Sequence, residues 1–190
     1  MIDPTIITDY DLSESELEER ILFWVTAAGK NGRVAAKSVD KLLNSISTND
    51  SPFSKIRHII ENEGLVGLKT LMKVCGIGCY NNKAITFRDL AYSDIDLKTC
   101  SAEELEKIKG IGMKTSRCFI LHSRKGARYA GLDTHILKYL RIFNIEYVPK
   151  STPSSRKLYL KLEKDFLILA DLFKMDPADL DLEIWNYYSK

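Results

Sequence analysis

The feature that most restricts the fold of this chain is a helical recurrence of apolar residues along nearly its whole length. The first such segment opens at Ser13–Glu16. Its apolar residues recur at spacings of three and four residues, at Leu17, Ile21, Leu22 and Val25. No segment alternates apolar and polar residues strongly enough to predict a strand. We therefore expect an all-α protein of about ten helices, without a repeat array or a low-complexity tract.

Helix-start and helix-stop residues place further helices along the chain. The expected segments include 32–46, 53–62, 64–74, 81–92, 113–125 and 133–144. Ser101 and Glu104 form a capping box that opens a short helix, which Gly110 ends. Thr152–Pro153 and Asp176–Pro177 each pair an N-cap residue with a proline at the first helical position. They predict helices that run to about Lys174 and Tyr188.

Positive charge is concentrated in one section of the chain, although the formal net charge is only +2. Residues 107–161 hold thirteen basic and two acidic residues, a net charge of +11. Residues 1–20 and 162–190 hold seven acidic residues each, against one and three basic residues. The basic section is typical of a surface that contacts phosphates. A solvated basic face without a partner is the alternative.

Neither the apolar runs nor the N-terminus points to a membrane or to secretion. The longest apolar run, residues 21–25, is far too short to span a bilayer. The first residues lack the basic region and apolar stretch of a secretion signal. We expect an intracellular protein, in the cytoplasm or nucleoid, or in the nucleus of a eukaryote.

The cysteine pattern indicates neither a disulfide scaffold nor a metal site. The chain contains Cys75, Cys79, Cys100 and Cys118. Four cysteines at irregular spacing are too few for a disulfide framework, and one C-x-x-x-C pair without partners is a weak metal signal. We expect reduced, mostly buried thiols and no metal.

The most informative stretch is the turn Gly110–Ile111–Gly112 between two short helices. Two glycines one residue apart permit backbone angles closed to other residues, and they remove Cβ atoms that would keep a ligand from the main chain. Amides at the start of the second helix point outward with the positive end of its dipole, which suits a phosphate. The pattern predicts a helix-hairpin-helix over about 101–125 that grips a nucleic-acid backbone without reading bases. The candidate backbone-binding residues here are Lys107, Lys109, Gly110, Gly112, Met113 and Thr115.

Two purely structural interpretations of this stretch remain as alternatives. The turn could be only a glycine-rich connection between packed helices. Thr115 could pack against or cap the hairpin instead of contacting a ligand.

Asp133, which follows Lys114 by nineteen residues, lies in the stretch Leu132–Asp133–Thr134–His135. With the hairpin, this stretch resembles the helix-hairpin-helix superfamily of DNA glycosylases, whose hallmark is G-I/V-G-x-K-T, a Gly/Pro-rich loop and V/L-D-T-H. Gly78–Ala84 is similar to the family's G-x-Y-x-x-K-A, and Val25–Asn31 occupies the place of its S-A-Q-A-T-D segment. The four matches are in the family's order and span roughly residues 17–144.

The resemblance implies a two-lobe helical fold with DNA in the cleft between the lobes. Residues 1–30 and 145–190 would form one lobe, and residues 31–144 the central lobe that contains the hairpin. The implied partner is double-stranded DNA with a damaged or modified base, bound by a monomer.

The resemblance also implies catalytic roles for Lys114 and Asp133. Lys114 matches the lysine of bifunctional glycosylase/lyases, whose amine attacks C1′ and forms a Schiff base that permits β-elimination. Asp133 matches the aspartate that stabilises positive charge on the sugar. A lysine amine is mostly protonated at neutral pH, so Asp133 or the departing base must accept a proton.

Simpler roles for these residues remain as alternatives. Lys114 could only contact phosphate, and Asp133 could only cap the helix that it opens, or do both. His135 is expected to be structural or to face the DNA backbone rather than to act in catalysis.

The base pocket shows weaker matches. A glycosylase extrudes its target nucleotide into a pocket, and the candidates here are Ala28, Lys30, Asn31, Tyr80, Trp185 and Lys190. Ala28 replaces a glutamine that some relatives insert into the DNA stack. Asn31 could bond to a base edge, while Tyr80 or Trp185 could stack on it or be buried in the core.

The C-terminal stretch Asp179–Lys190 is similar to the last helix of archaeal-type 8-oxoguanine glycosylases. These relatives lack an iron–sulfur cluster and end in a D-L-x-x-W segment and a lysine near the pocket. Lys190 and its carboxylate would then help to recognise an oxidised purine, although a frayed terminal lysine is the alternative. No cysteine follows Cys118, whereas endonuclease III relatives carry a four-cysteine motif after their last helices, so we expect no cluster and no cofactor.

Together these features predict a bifunctional DNA N-glycosylase/AP lyase of base excision repair that removes an oxidised base, with 8-oxoguanine favoured. An endonuclease III-type glycosylase for oxidised pyrimidines or modified bases is one alternative. A non-catalytic DNA-binding module with the same hairpin is the other.

Overall fold

The computed structural model describes residues 1–47, 50–143, 145 and 147–189, and these residues form helices and loops without strands. The helices are η1 (Pro4–Ile6, a 3-10 turn), α1 (Glu14–Ala27), α2 (Gly32–Asn44), α3 (Pro52–Val74), α4 (Tyr80–Ala91), α5 (Ala102–Leu105), α6 (Met113–Ser123), α7 (Thr134–Ile142), α8 (Arg156–Phe173) and α9 (Pro177–Tyr188). The predicted all-α class is confirmed.

Most of the predicted helix starts are confirmed, because short-range hydrogen bonds define them. Ser13 and Glu16 form a capping box at the start of α1, and Ser101 and Glu104 form another before the single turn of α5. Asp176 accepts a hydrogen bond from the amide of Ala178 at 2.9 Å and caps α9. These signals act within four residues, so they can be recognised in the sequence alone.

The predicted break at Gly64 is also present. Gly64 has a φ of 66° and interrupts the helical backbone of α3. Glycine adopts this left-handed conformation without the steric cost that a Cβ atom would add.

The predicted start of α8 at Pro153 is wrong. The helix begins at Arg156, and Ser155 caps it by accepting a hydrogen bond from the amide of Leu158. The Thr152 hydroxyl instead donates to the carbonyl of Leu132 at 2.7 Å. A partner twenty residues earlier in the chain therefore takes the side chain that the sequence pattern assigned to a cap.

Contacts divide the chain into two compact units, Met1–Pro4 with Asp11–Gly112, and Thr5–Tyr10 with Met113–Lys190. This grouping differs from the predicted lobes of residues 1–30 with 145–190 and residues 31–144. The reason is helix packing, because α1 packs against α2, α3 and α4, while α9 packs against α6, α7 and α8. The N-terminal and C-terminal helices thus belong to different units.

The second unit has its own apolar core, which positions the start of α7. The core includes Leu132, Ile136, Leu137, Leu140, Tyr159, Leu162, Phe166, Leu180 and Ile184. Burial of each large apolar side chain stabilises the fold by about 1.5–3 kcal/mol. This packing holds α7 firmly on α8 and α9, so the residues at its N-terminus have a fixed place.

None of the helices in the described part of the chain is long and apolar enough to cross a membrane.

Candidate active site

The first half of the hairpin turn needs a glycine at position 110. Gly110 has a φ of 95°, and a Cβ atom there would lie 2.1 Å from Oγ1 of Thr86. The same Thr86 hydroxyl donates to the carbonyl of Lys109 at 2.8 Å. Within the first unit, α4 therefore holds the turn through one side chain and leaves no room for a larger residue.

Gly112 differs from Gly110, because only Gly110 of the two glycines has the backbone angles that other residues rarely adopt. Gly112 is not among the glycines with positive φ, and a Cβ atom built on it would have no neighbour within 4 Å. It is exposed, as are the predicted phosphate-binding residues Lys107 and Lys109. The open space beside Gly112 fits the other expected reason for glycine, close approach of a ligand to the main chain.

The residues that follow the turn are less exposed. Lys114, the second residue of α6, is half-buried. Met113 is half-buried against the core of the second unit, and only 6% of Thr115 is exposed. The structure therefore leaves Lys114 partly open to solvent but buries Thr115 in the packing of α6. This agrees with the alternative in which Thr115 packs instead of contacting a ligand.

Asp133 is the N-cap of α7. Its Oδ1 accepts hydrogen bonds from the amides of His135 at 2.7 Å and Ile136 at 2.9 Å. None of the residues that the structure describes donates a hydrogen bond to its other oxygen, Oδ2. The predicted capping role is confirmed, and it fixes the carboxylate while it leaves one oxygen available for other work.

The charge of Lys114 acts on the Asp133 carboxylate. Burial raises the pKa of Asp133 above its usual range, and the nearby Asp181 carboxylate raises it further. The Lys114 ammonium, the amide of Ile136 and His135 favour the ionised form but do not outweigh burial. Lys114 and Asp133 thus belong to one cluster of interacting charges in the second unit.

A buried thiol lies beneath the loop that leads to Asp133. A Cβ atom on Gly131 would be 2.3 Å from Sγ of Cys118, so only glycine fits at this position. Burial raises the pKa of the Cys118 thiol, and Asp181 and Asp133 act in the same direction. The thiol is a packing partner of the loop rather than a ready nucleophile.

Two buried polar side chains, Tyr159 and Glu163, hold the backbone just before Asp133. The hydroxyl of Tyr159 donates to the carbonyl of Ala130 at 2.7 Å and accepts from the amide of Leu132 at 3.2 Å. The carboxylate of Glu163 accepts from the amide of Ala130 at 3.0 Å and forms an ion pair with Arg117 at 3.0 Å. The loop is therefore fixed at both ends of residues 130–132.

The sequence reasoning missed these supporting residues. Glu163 occupies a position of α8 whose neighbours at helical spacing, Tyr159 and Phe166, are both buried. A glutamate within such an apolar face is the signal that could have identified it, because a buried carboxylate needs a partner.

His135 is half-buried, and its ring stacks on Tyr188, with 6.0 Å between ring centroids and 5° between ring planes. Lys138 lies over the same tyrosine ring at 4.3 Å. The amide of His135 donates to Asp133. Its described contacts therefore fit the expected structural role.

Four of the six candidates for the base pocket belong to the first unit, and the side chains of two of these bind backbone atoms there. Asn31 caps α2, since its side-chain oxygen accepts from the amides of Arg33 and Val34. The Lys30 amine donates to the carbonyl of Gly76. The carbonyl of Ala28 accepts from a buried lysine, Lys83, at 3.1 Å.

The other candidates give less information. Tyr80, at the start of α4, and Trp185, in α9 of the second unit, are both half-buried. Lys190 lies outside the described residues. Nothing in the geometry of either unit taken alone assigns a base contact to Tyr80 or Trp185.

All four cysteines are free thiols, of which Cys75, Cys100 and Cys118 are buried and Cys79 is exposed. The described residues contain no group of three His, Cys, Asp or Glu side chains that could hold a metal ion.

No protein-family model matches the chain. A stretch of 81 residues, 43% of the chain, is 40% identical to the 8-oxoguanine DNA glycosylase/AP lyase of Picrophilus torridus. A stretch of 148 residues, 75% of the chain, is 28% identical to endonuclease III of Haemophilus influenzae. The chain spans 37% and 65% of the lengths of these two relatives.

Solved structures share this fold over most of the chain. The 8-oxoguanine DNA glycosylase of Thermotoga maritima matches 93% of this chain and 81% of its own, with a TM-score of 0.69 and 20% identity. The Methanocaldococcus jannaschii 8-oxoguanine glycosylase/lyase, solved in complex with a 15mer DNA containing 8-oxoguanine, matches 94% of this chain and 83% of its own, with a TM-score of 0.69 and 22% identity. The chain therefore has the fold of these DNA glycosylases.

The residues that match the hallmark of the helix-hairpin-helix glycosylases have distinct surroundings in this structure. Gly110 is required by a close contact, Gly112 faces open space, and Lys114 and Asp133 interact by charge. Lys114 and Asp133 are therefore the candidates for its chemistry.

Proposed function

We propose that this protein is a bifunctional DNA N-glycosylase/AP lyase that removes an oxidised base, in first place 8-oxoguanine, from double-stranded DNA. The observation that carries the proposal is the charge interaction between the half-buried amine of Lys114 and the N-cap carboxylate of Asp133. Both residues occupy the positions that the superfamily hallmark gives to the nucleophile and its acidic partner.

The first step replaces the base with the lysine. The Lys114 ammonium gives a proton to Asp133, and the free amine attacks C1′ of the deoxyribose while the bond from C1′ to the base breaks. The bonding electrons leave with the base, which takes the proton from Asp133. The nitrogen then passes one proton to O4′ as the sugar ring opens, and a Schiff base remains between Nζ and C1′.

The second step breaks the DNA strand. Loss of a proton from C2′ to a base forms the C2′–C3′ double bond, and the C3′–O3′ bond breaks with release of the 3′ phosphate. The Schiff base makes the C2′ proton acidic by drawing electrons toward nitrogen. Water then hydrolyses the Schiff base and frees Lys114.

Asp133 has a second electrostatic role in this proposal. Once the departing base has taken the proton from Asp133, the fixed carboxylate stabilises the positive charge that remains on the sugar and its attached nitrogen, without reorganisation. Oδ1 is held by two amides of α7, so Oδ2 is the oxygen that faces the reaction. The N-cap thus orients the group that does the chemistry.

The grip on DNA needs no base contact. The open face of Gly112 and the exposed Lys107 and Lys109 suit a phosphate that approaches the main chain of the turn. We include no cofactor in the reaction, and we propose that a monomer acts. Its substrate places it where chromosomal DNA is, in the nucleoid or in the nucleus.

Two relatives favour different bases. The relative from Picrophilus torridus is named for 8-oxoguanine, and the structure from Methanocaldococcus jannaschii contains that base in its DNA. The longer match to endonuclease III favours an oxidised pyrimidine as the second candidate. We propose 8-oxoguanine first because the match to the Picrophilus protein is the more identical one.

The test is borohydride trapping on duplexes that carry 8-oxoguanine, thymine glycol, uracil or an alkylated base. We expect a covalent adduct with 8-oxoguanine DNA that disappears in Lys114→Gln. Asp133→Asn should lower the rate of adduct formation about a hundred- to a thousandfold, because an oriented charge at the reacting centre is lost.

Lys125→Gln is the matched control, since Lys125 is an exposed lysine just beyond the other end of α6. It should form the adduct at the wild-type rate. Absence of an adduct with every lesion, together with lesion-indifferent and salt-sensitive binding, would identify a non-catalytic DNA-binding module instead.

A further inference from the structure

The second unit contains a buried carboxylate that the mechanism above does not use. Asp181 is in α9, and only 7% of it is exposed. Its Oδ2 lies 3.2 Å from Nε2 of His122, whereas Oδ1 has no hydrogen-bond partner among the described residues. A buried carboxylate oxygen without a partner is costly, and such groups cluster at functional sites.

His122 holds this carboxylate in one orientation. The imidazole is 2% exposed, and its Nδ1 lies 2.8 Å from the hydroxyl oxygen of Thr8. Because both ring nitrogens are engaged, the ring cannot turn freely. Asp181 therefore keeps Oδ2 toward His122 and Oδ1 elsewhere.

The unpartnered oxygen is directed at the loop that carries Asp133. A Cβ atom built on Gly131 would lie 3.3 Å from Oδ1 of Asp181 and 2.3 Å from Sγ of Cys118. Gly131 precedes Asp133 by two residues. The absence of a side chain at Gly131 thus lets the Asp181 carboxylate pack directly beneath the Asp133 loop.

The charges around Asp133 come from three helices. Lys114 and the Cys118 thiol belong to α6, His135 belongs to α7, and Asp181 belongs to α9. Of the described groups that act on Asp133, Asp181 is the one with a carboxylate. The negative charge of Asp181 makes ionisation of Asp133 harder. A more basic Asp133 is a better proton acceptor.

We infer that Asp181, oriented by His122, is a positioning residue that makes Asp133 a stronger acceptor for the proton of the Lys114 ammonium. The inference rests on the proposed function, because it concerns the proton transfer that precedes attack on C1′. One proton moves from Nζ of Lys114 to Oδ2 of Asp133 and then to the departing base. Asp181 itself neither gains nor loses a proton in this sequence.

The test is the pH dependence of adduct formation in Asp181→Asn under single-turnover conditions. The amide keeps the size of the side chain and removes its charge. We expect the acidic limb of the profile to move to lower pH by about one unit, and the plateau rate to fall up to about tenfold. A role in stability alone would lower the amount of folded protein without moving the limb.

Asp179→Asn is the matched control, because Asp179 is an exposed aspartate on the same helix. Its profile should coincide with that of the wild type. If Asp181→Asn does not fold, the smaller neutral variant Asp181→Ser replaces it, with the same expected shift. Circular dichroism confirms the fold of each variant before the rates are measured.

The outcomes separate this inference from the proposed function. No adduct with the wild-type protein would overturn the proposed function. A wild-type adduct whose acidic limb stays in place, or moves to higher pH, in the neutral variants would overturn the role of Asp181 alone.

Discussion

Two buried charged residues, one in each unit, show two uses of charge. In the first unit, the amine of Lys83 donates to the carbonyls of Thr26 at 2.7 Å and Ala28 at 3.1 Å and so completes the end of α1. In the second unit, Asp181 leaves one buried oxygen unpartnered beside Asp133 and Lys114. The first arrangement satisfies backbone groups, whereas the second leaves a buried oxygen without a partner near other charged groups.

The difference teaches how to separate scaffold from chemistry in this fold. Lys30, Asn31 and Lys83 carry polar groups in the first unit, and each binds backbone atoms there. Helix ends need such partners. The cluster around Asp133 instead raises the pKa of Asp133 and of the Cys118 thiol, and shifted pKa values are typical of reactive sites.

The largest effect on stability should come from Glu163, a buried carboxylate of the second unit that binds both a backbone amide and Arg117. Glu163→Gln should lower the free energy of unfolding by about 3 kcal/mol, because the buried ion pair with Arg117 loses its negative charge. Urea unfolding measures the loss. Asp171→Asn breaks an exposed ion pair with Arg128 and should cost less than about 0.5 kcal/mol. Equal losses of unfolding free energy in the two variants would contradict the role of Glu163 in holding the loop before Asp133.

A smaller loss is expected at the loop itself. Gly131→Ala places a Cβ atom against Cys118 Sγ, and the repacking should cost about 2 kcal/mol in urea unfolding. Gly112→Ala has open space at its Cβ and should leave the stability nearly unchanged while it weakens DNA binding. If both variants lost the same stability, the close packing beneath Asp133 would be refuted.

The scaffold role of Lys83 predicts a further difference. Lys83→Met removes the amine that donates two hydrogen bonds to the end of α1. The loss should lower the free energy of unfolding by about 1.5 kcal/mol. The trapping rate per folded molecule should stay at the wild-type value. Lys37→Met, at an exposed position of α2, is the control and should leave both quantities unchanged. A lysine variant that folds normally but loses activity would place Lys83 in the reaction.

The smallest effect on stability concerns Asp133, where the substitution should raise the free energy of unfolding instead of lowering it. Its pKa is raised in the folded protein, mainly by burial, so the folded state is destabilised as the pH rises through the unfolded pKa and Asp133 ionises. An asparagine side chain at this position would keep the N-cap without the charge. Asp133→Asn should therefore be more stable than the wild type at pH 7, by less than the losses expected for the variants above.

This gain should shrink as the pH falls below the unfolded pKa of an aspartate, because Asp133 is then protonated in both states. Urea unfolding at several pH values measures the difference. A variant less stable than the wild type at pH 7 would show that the ionised carboxylate stabilises the fold.

Local signals in the sequence predict much of this fold. The capping boxes at Ser13 and Ser101, the break at Gly64 and the start of α9 at Asp176 are all confirmed. Each depends on residues at most four positions apart. The start of α8 was mispredicted because Thr152 binds the carbonyl of Leu132, a partner that no local pattern reveals.

The site was predictable only where a motif carries it. Lys114 and Asp133 stand out because the hairpin and the V/L-D-T-H stretch have fixed spacing. The surroundings of Asp133 were not predictable, since Asp181 and His122 lie 59 residues apart and Thr8 lies 114 residues from His122. Long-range partners of this kind become visible only in the folded chain.

The most direct test of the account is to map the borohydride-reduced adduct by proteolysis and mass spectrometry after reaction with a duplex that carries 8-oxoguanine. We expect the deoxyribose remnant on the peptide that contains Lys114, attached to its side-chain nitrogen. A remnant on any other lysine would contradict the assignment of the nucleophile.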